Sequence, residues 1–177
     1  MSADPLALLQ KMQADSLATA PGLPEEAQAV EMWSGVGFRV GDVYLVTSLD
    51  SVTEILQYPR LTPVPRTQKW LKGVANIRGT LVTIIDLPEY FDKKPVNRSD
   101  RSRLIILNAA DLSAGLLVDE VFGLRHFDEE FERQKVTGLD DPAMALTEGA
   151  FLRDNTLWGI FSMRTLAKSE MFLHVAA

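Results

Sequence analysis

From Trp33 onward, short apolar runs bounded by glycine, proline and aspartate follow one another along the chain. Runs of that kind predict strands joined by turns. Trp33–Val40 and Val43–Ser48 flank Gly41-Asp42 and read as a hairpin, and Val52–Leu56 reads as a third strand. Pro59, Pro63 and Pro65 then exclude helix, so Thr62-Pro-Val-Pro65 is an extended crossing. Thr67–Leu71 is expected to make one helical turn that delivers the chain into a second hairpin. That hairpin has apolar runs Val74–Ile77 and Leu81–Leu87 around an Arg78-Gly79-Thr80 corner. Val82, Thr83, Ile84 and Ile85 are β-branched and suit a pleated, half-buried surface. Gly79 supplies the backbone freedom of a tight turn. The chain is organised around this hairpin, because an arginine at its corner is held for recognition.

The second half repeats the order of the first. Leu104–Asn108 and Ser113–Val118 are strands around Ala109–Leu112, and Phe122–Phe127 is read as an extension of the second of them. Val118-Asp-Glu120-Val121 echoes Val52-Thr-Glu54-Ile55. After an irregular polar stretch over 129–146, Gly149–Phe161 echoes Gly73–Ile85, with Arg153 near its turn. The pattern predicts two small barrels, the first over about 33–100 and the second over about 101–162, each needing the other to bury a core. Ile85, Leu117 and Phe161 are expected to be buried together. A C-terminal helix runs from Ser162, its N-cap, to Leu173, with Met163, Leu166, Ala167 and Met171 as its apolar face. At the other end, residues 1–30 form an extension: a short helix over 4–20, then a linker at Pro21-Gly-Leu-Pro24. The main domain is 31–177.

Composition narrows the chemistry. The 177 residues carry a net charge of −6, which argues against a nucleic-acid or anionic-membrane surface. With no cysteine there is no disulfide or thiol chemistry. His126 and His174 have no acidic or histidine companion at metal-ligand spacing. Gly35-Val-Gly37-Phe-Arg-Val-Gly41 is one residue too long for a dinucleotide fingerprint and sits among strands. The reading is therefore no enzyme, no catalytic residue, no cofactor and no metal. Without a signal peptide or a long apolar run, the chain is expected to be cytoplasmic.

Several motifs resemble those of the CheW-like coupling proteins of bacterial chemotaxis. Val52-Thr-Glu54-Ile55, Pro63-Val-Pro65, Gly73-Val-Ala-Asn-Ile-Arg78-Gly79, Ile84-Ile85-Asp86-Leu87 and Gly115-Leu-Leu-Val-Asp119-Glu-Val121 occur in the family's order. Thr83 stands where the family usually has proline. The surroundings of Trp33 and Trp70 are most similar to the adaptors of type IV pilus (twitching motility) chemosensory systems. The resemblance implies a mainly β fold of two five-stranded SH3-like barrels sharing an apolar core. It also implies a non-catalytic adaptor, recruited to membrane-associated receptor arrays. Its partners would be the regulatory domain of a CheA-type histidine kinase and the helical tip of a methyl-accepting chemoreceptor, with no nucleic acid and no membrane insertion. The positions matching the receptor groove are Val52, Glu54, Ile77, Arg78 and Gly79, with Glu54 and Arg78 expected to form an ion pair. The alternative is a small β-barrel domain that binds a ligand or nucleic acid.

Overall fold

A computed structural model describes residues 32–108, 113–130, 132–135 and 141–173. The expected extension over 1–30, the Ala109–Leu112 turn and His174 lie outside the described residues. The strands are β1 (Met32–Val40), β2 (Val43–Ser48), β3 (Val52–Gln57), β4 (Leu71–Ile77), β5 (Thr80–Asp86), β6 (Arg103–Leu107), β7 (Ala114–Val118), β8 (Glu120–Asp128), β9 (Arg133–Gln134), β10 (Thr147–Arg153) and β11 (Thr156–Phe161). Helical segments are few and short: α1 (Leu87–Tyr90), α2 (Met163–Lys168) and α3 (Glu170–Leu173), with 3-10 turns at Leu49–Ser51 and Pro142–Leu146.

The strands form two sheets, ordered β8-β1-β2-β11-β10-β9 and β3-β6-β7-β5-β4. The expected division into barrels over 33–100 and 101–162 does not match this pairing. The hairpin β1–β2 of the first half joins β8, β10 and β11 of the second, while β6–β7 joins β3, β4 and β5 of the first. The two halves thus exchange their leading hairpins. Each borrowed hairpin docks by the same pair of contacts, one antiparallel (β1 to β8, β6 to β3) and one parallel (β2 to β11, β7 to β5). The repeat in sequence is real, but it joins halves that interlock. Alternation with period two reports which face of a strand is buried and says nothing about which strand lies beside it.

Each sheet curls around a small core of its own, and the two share a third. Ala75, Val82, Ile84, Leu104 and Leu117 fill the five-stranded sheet. Val46, Phe127, Phe151, Trp158 and Ile160 fill the six-stranded one, with Phe127 stacked on Phe151 at 4.6 Å. Between the sheets lies the large core, which holds Phe38, Leu45, Ile85, Ile105, Leu116, Phe161 and the helical residues Met163, Leu166 and Phe172. Ile85 and Phe161 are in it as expected, but Leu117 points the other way. Its neighbour Leu116 takes the shared position, as strand alternation requires.

Three local expectations are also corrected. Thr67–Leu71 makes no helical turn: Lys69-Trp70 is a turn closed by Leu71 N–H to the Gln68 carbonyl at 3.0 Å, and Leu71 already belongs to β4. β8 does not extend β7, since the chain crosses to the other sheet at Asp119. The C-terminal helix starts at Ser162, whose hydroxyl accepts from Thr165 N–H, but it breaks at Ser169. Ser169 is extended (φ −67°, ψ 138°), and its hydroxyl lies 2.7 Å from the Tyr90 hydroxyl. The break resets the helical phase, so Phe172 is buried in parallel with the Trp70 ring and Met171 is exposed.

Candidate functional site

The β4–β5 hairpin turns at Arg78 (φ +52°) and Gly79 (φ +89°). Positive φ at both central residues is the turn geometry whose twist matches paired strands. Glycine enters it freely, whereas an arginine there costs about 1–2 kcal/mol. Asn76 Oδ1 accepts the Gly79 N–H at 2.8 Å and fixes the corner. At the base of β4, Gly73 has φ +139°, and a Cβ there would lie 2.2 Å from the Thr62 carbonyl oxygen. The glycine lets the Pro63-Val-Pro65 crossing lie against the strand, where Thr62 and Val74 exchange two backbone hydrogen bonds of 2.8 and 2.9 Å.

Glu54 reaches the corner from β3, the opposite edge of the five-stranded sheet. Arg78 Nη2 donates to Glu54 Oε1 at 2.5 Å, so the expected ion pair is present and joins the two edges of the curled sheet. The arginine side chain is 79% exposed and the glutamate 24%, which makes the pair worth about 0–1 kcal/mol. A register shift between Val52 and Glu54 turns Val52 toward the shared core, while Ile77 leans on the small core of its own sheet. Val52 and Ile77 therefore flank the pair from different packing layers. Gly79 is exposed at the tip, and beyond it Leu81 is 65% exposed.

Asp86, the carboxylate of the Ile84-Ile85-Asp86-Leu87 motif, is fully buried. Its oxygens accept the Glu89 N–H at 3.0 Å and the Val96 N–H at 2.9 Å, capping α1 and tying down the polar loop that follows. Burial pushes its pKa above the usual carboxylate value, opposed by those two N–H groups and by the Lys72 ammonium 3.9 Å away. The carboxylate thus holds the start of α1 and the loop at Val96 together.

A cleft of about 420 Å³ adjoins Val52. Its walls include Ser51, which precedes Val52, Leu107, the strand partner of Val52, and Arg164 of α2. Sequence reasoning missed it because its walls come from three distant stretches: the Leu49–Ser51 turn, the end of β6 and α2. Among the described residues no group of His, Cys, Asp or Glu is arranged to hold a metal ion, and no helix is long and apolar enough to cross a membrane. His126, on β8, is exposed and lies 2.7 Å from the Ser34 hydroxyl through Nδ1.

The chain is similar to known proteins over most of its length. It is 38% identical over 157 residues to protein PilI of Pseudomonas aeruginosa, covering 89% of this chain and 88% of that one. Against protein FrzA of Myxococcus xanthus it is 35% identical over 106 residues, 60% of this chain and 66% of FrzA. The crystal structure of the scaffolding protein TtCheW from Thermoanaerobacter tengcongensis superposes with a TM-score of 0.67 at 25% identity, covering 78% of this chain and 94% of TtCheW. The model of the CheW-like domain matches residues 34–171, the span that holds all but the first two residues of the two sheets, and the Glu54–Arg78 seam. On this match the chain belongs to the CheW-like domain family, as a non-catalytic coupling adaptor of chemosensory systems.

Proposed function

We propose that the protein couples a methyl-accepting chemoreceptor to a CheA-type histidine kinase, in a cytoplasmic array that controls type IV pilus twitching motility. The observation that carries this reading is Arg78. A 79%-exposed arginine occupies a left-handed turn position that asparagine or glycine would fill at lower cost, and it is aimed across the sheet seam by Glu54. Strain of this kind at an exposed charged residue marks a position kept for its side chain. The similarity to PilI supports the pilus branch. Val52, Glu54, Ile77, Arg78 and Gly79 form the receptor-facing corner, and the kinase binds elsewhere. The test is Arg78→Glu, which should stay folded and kinase-bound but lose receptor control of kinase activity. Combining it with Glu54→Arg should restore control only in part, since a receptor group also uses Arg78. Normal coupling by Arg78→Glu would remove this corner from the receptor site. Loss of the kinase as well would place the hairpin in the kinase interface.

A further inference from the structure

The charge of the chain is unevenly sorted. Residues 57–103, from the end of β3 to the start of β6, carry ten Lys and Arg against four Asp and Glu, while the rest carries eight against twenty. Of those four carboxylates Asp86 is buried and Glu89 is paired with Lys72. The positive charge gathers around Tyr58. Arg60 follows it by two residues, and Arg103 is the strand partner of Gln57, its neighbour. Arg98 lies over the tyrosine, its Cζ 5.6 Å from the ring centre. Residues 97–103 hold three arginines and a single carboxylate, Asp100. The loop that carries them is pinned at both ends. Asp86 Oδ2 accepts the Val96 N–H at 2.9 Å. At the other end Ser102, 1% exposed, accepts the Ser99 N–H through Oγ at 3.0 Å and donates to the Ser99 carbonyl at 2.9 Å. Arg103 Nη1 donates to the Asp100 and Ser102 carbonyls at 2.6 and 2.9 Å. An arginine laid on a ring, or carried by a pinned loop, has less freedom to lose when a partner binds.

We infer that this arginine surface docks an acidic polypeptide segment, whose carboxylates pair with the guanidinium forks of Arg60, Arg98 and Arg101 around Tyr58. The residue types support it: a guanidinium fork matches a carboxylate bidentately, and Arg and Tyr are the side chains that anchor protein interfaces. The reach of the field supports it too. A short acidic segment responds to charge within a Debye length of about 8 Å, where the arginines dominate, whereas a long polyanion meets the whole chain at −6. Single-stranded nucleic acid stacks its successive bases on several rings, and the loop and strand end offer Tyr58 alone. Tyr58 stands four residues beyond Glu54, roughly 13 Å along an extended chain. The surface is therefore additional to the receptor-facing corner, and the inference does not rest on the receptor-coupling reading.

The experiment is fluorescence anisotropy of full-length protein against a labelled peptide of alternating glutamate and serine, at low and at physiological salt. Binding should saturate, and weaken as salt rises. Arg98→Glu with Arg101→Glu should weaken it about tenfold or more. Tyr58→Leu keeps every charge and an apolar side chain, and should weaken it about two- to fivefold by freeing Arg98. Arg133→Glu with Lys135→Glu, the same charge change on exposed residues at β9 of the other sheet, should stay within about twofold of wild type. Should the first pair fail to fold, Arg98→Lys with Arg101→Lys keeps the charge, loses the forks and should weaken binding about threefold. Equal weakening by the Arg133 and Lys135 variant would mean generic charge and overturn the inference. Wild-type affinity of Tyr58→Leu or of the lysine pair would overturn it as well, since the arginines would then not be positioned. Tighter binding of a single-stranded oligonucleotide than of the peptide would assign the surface to nucleic acid instead, and no binding by wild type would remove the site altogether.

Discussion

The two late hairpins, β4–β5 and β10–β11, occupy equivalent places in their sheets and differ where it matters. Both turn with positive φ at two central residues, but one uses Arg78-Gly79 and the other Asp154-Asn155. Aspartate and asparagine tolerate that conformation with little strain. Both hairpins bring an arginine to the far edge of their sheet. Arg78 meets a side chain, Glu54, whereas Arg153 sits one residue before its turn and donates to the His126 carbonyl and to Glu132. The second seam is closed by ordinary means at low cost. The first seam carries a strained, exposed arginine that adds little to stability. The difference leaves Arg78 without a structural reason for its strained place, which fits the partner-facing role proposed for it.

The comparison extends to the interiors, one small core being aromatic and the other aliphatic. Phe127→Ala in the aromatic core should cost about 3–5 kcal/mol and Leu117→Ala in the aliphatic one about 2–5 kcal/mol. Because each sheet contains strands from both halves, either loss should lower a single unfolding transition. Urea melts followed by tryptophan fluorescence and far-ultraviolet circular dichroism should coincide for both variants. Two separated steps would mean that the sheets are energetically independent.

Glycines at equivalent positions sharpen the contrast. Gly73 and Gly149 both have strongly positive φ, +139° and +151°. A Cβ at Gly149 would lie 3.5 Å from the Gln134 carbonyl oxygen, an ordinary contact, against 2.2 Å from Thr62 at Gly73. Gly149→Ala should therefore cost about 1–3 kcal/mol from backbone strain alone, and Gly73→Ala should exceed it by at least ~1 kcal/mol. Similar losses in thermal denaturation would show that the Thr62 crossing yields freely.

Asp86 has no buried carboxylate counterpart at the end of β11, where Ser162 caps α2 instead. Asp86→Asn should cost about 1–3 kcal/mol at pH 7, because an amide NH₂ must face a backbone N–H. The raised pKa sets the sign of the pH effect. Between the unfolded value near 3.8 and the higher folded value, the folded state binds more protons than the unfolded one. The wild-type advantage over Asp86→Asn should therefore grow as pH falls through that window and shrink as pH rises through the folded pKa. Chemical denaturation across pH 3.5–7 reads this directly, and a margin that narrows toward acid would contradict it.

The smallest expected change is in stability and the most telling in function. Arg78→Asn relieves the left-handed strain while losing the pair with Glu54, so its stability should stay within about 1 kcal/mol of wild type. Its receptor coupling should be lost. Asp154→Arg, the mirror substitution, should cost about 1 kcal/mol and leave coupling untouched. If Arg78→Asn couples normally, the asymmetry between the hairpins has no functional meaning.

Much of the site was legible in the sequence because it is local. Arg78-Gly79 between two β-branched runs can only be a turn, and the echo of Gly73–Ile85 in Gly149–Phe161 marks equivalent hairpins. The Glu54–Arg78 pair came from resemblance, since nothing in periodicity joins residues on opposite edges of a sheet. The exchange of hairpins and the switch of sheets at Asp119 were hidden for the same reason. The break at Ser169 was hidden because it depends on Tyr90, 79 residues away.

The exchanged hairpins also govern the order in which the chain can fold as it is made. β1 has only β2 to pair with until Glu120–Asp128 has been synthesised, because its other edge is reserved for β8. At roughly 5–20 residues per second, that leaves the edge of β1 open for on the order of 5–20 seconds after it emerges. The β4–β5 hairpin likewise waits for β7. A nascent chain stalled before residue 103 would therefore hold two hairpins with unpaired edges and no finished sheet, a state suited to chaperone capture. The same interlock makes residues 1–100 and 101–177, made as separate polypeptides, natural complements that should fold only on mixing.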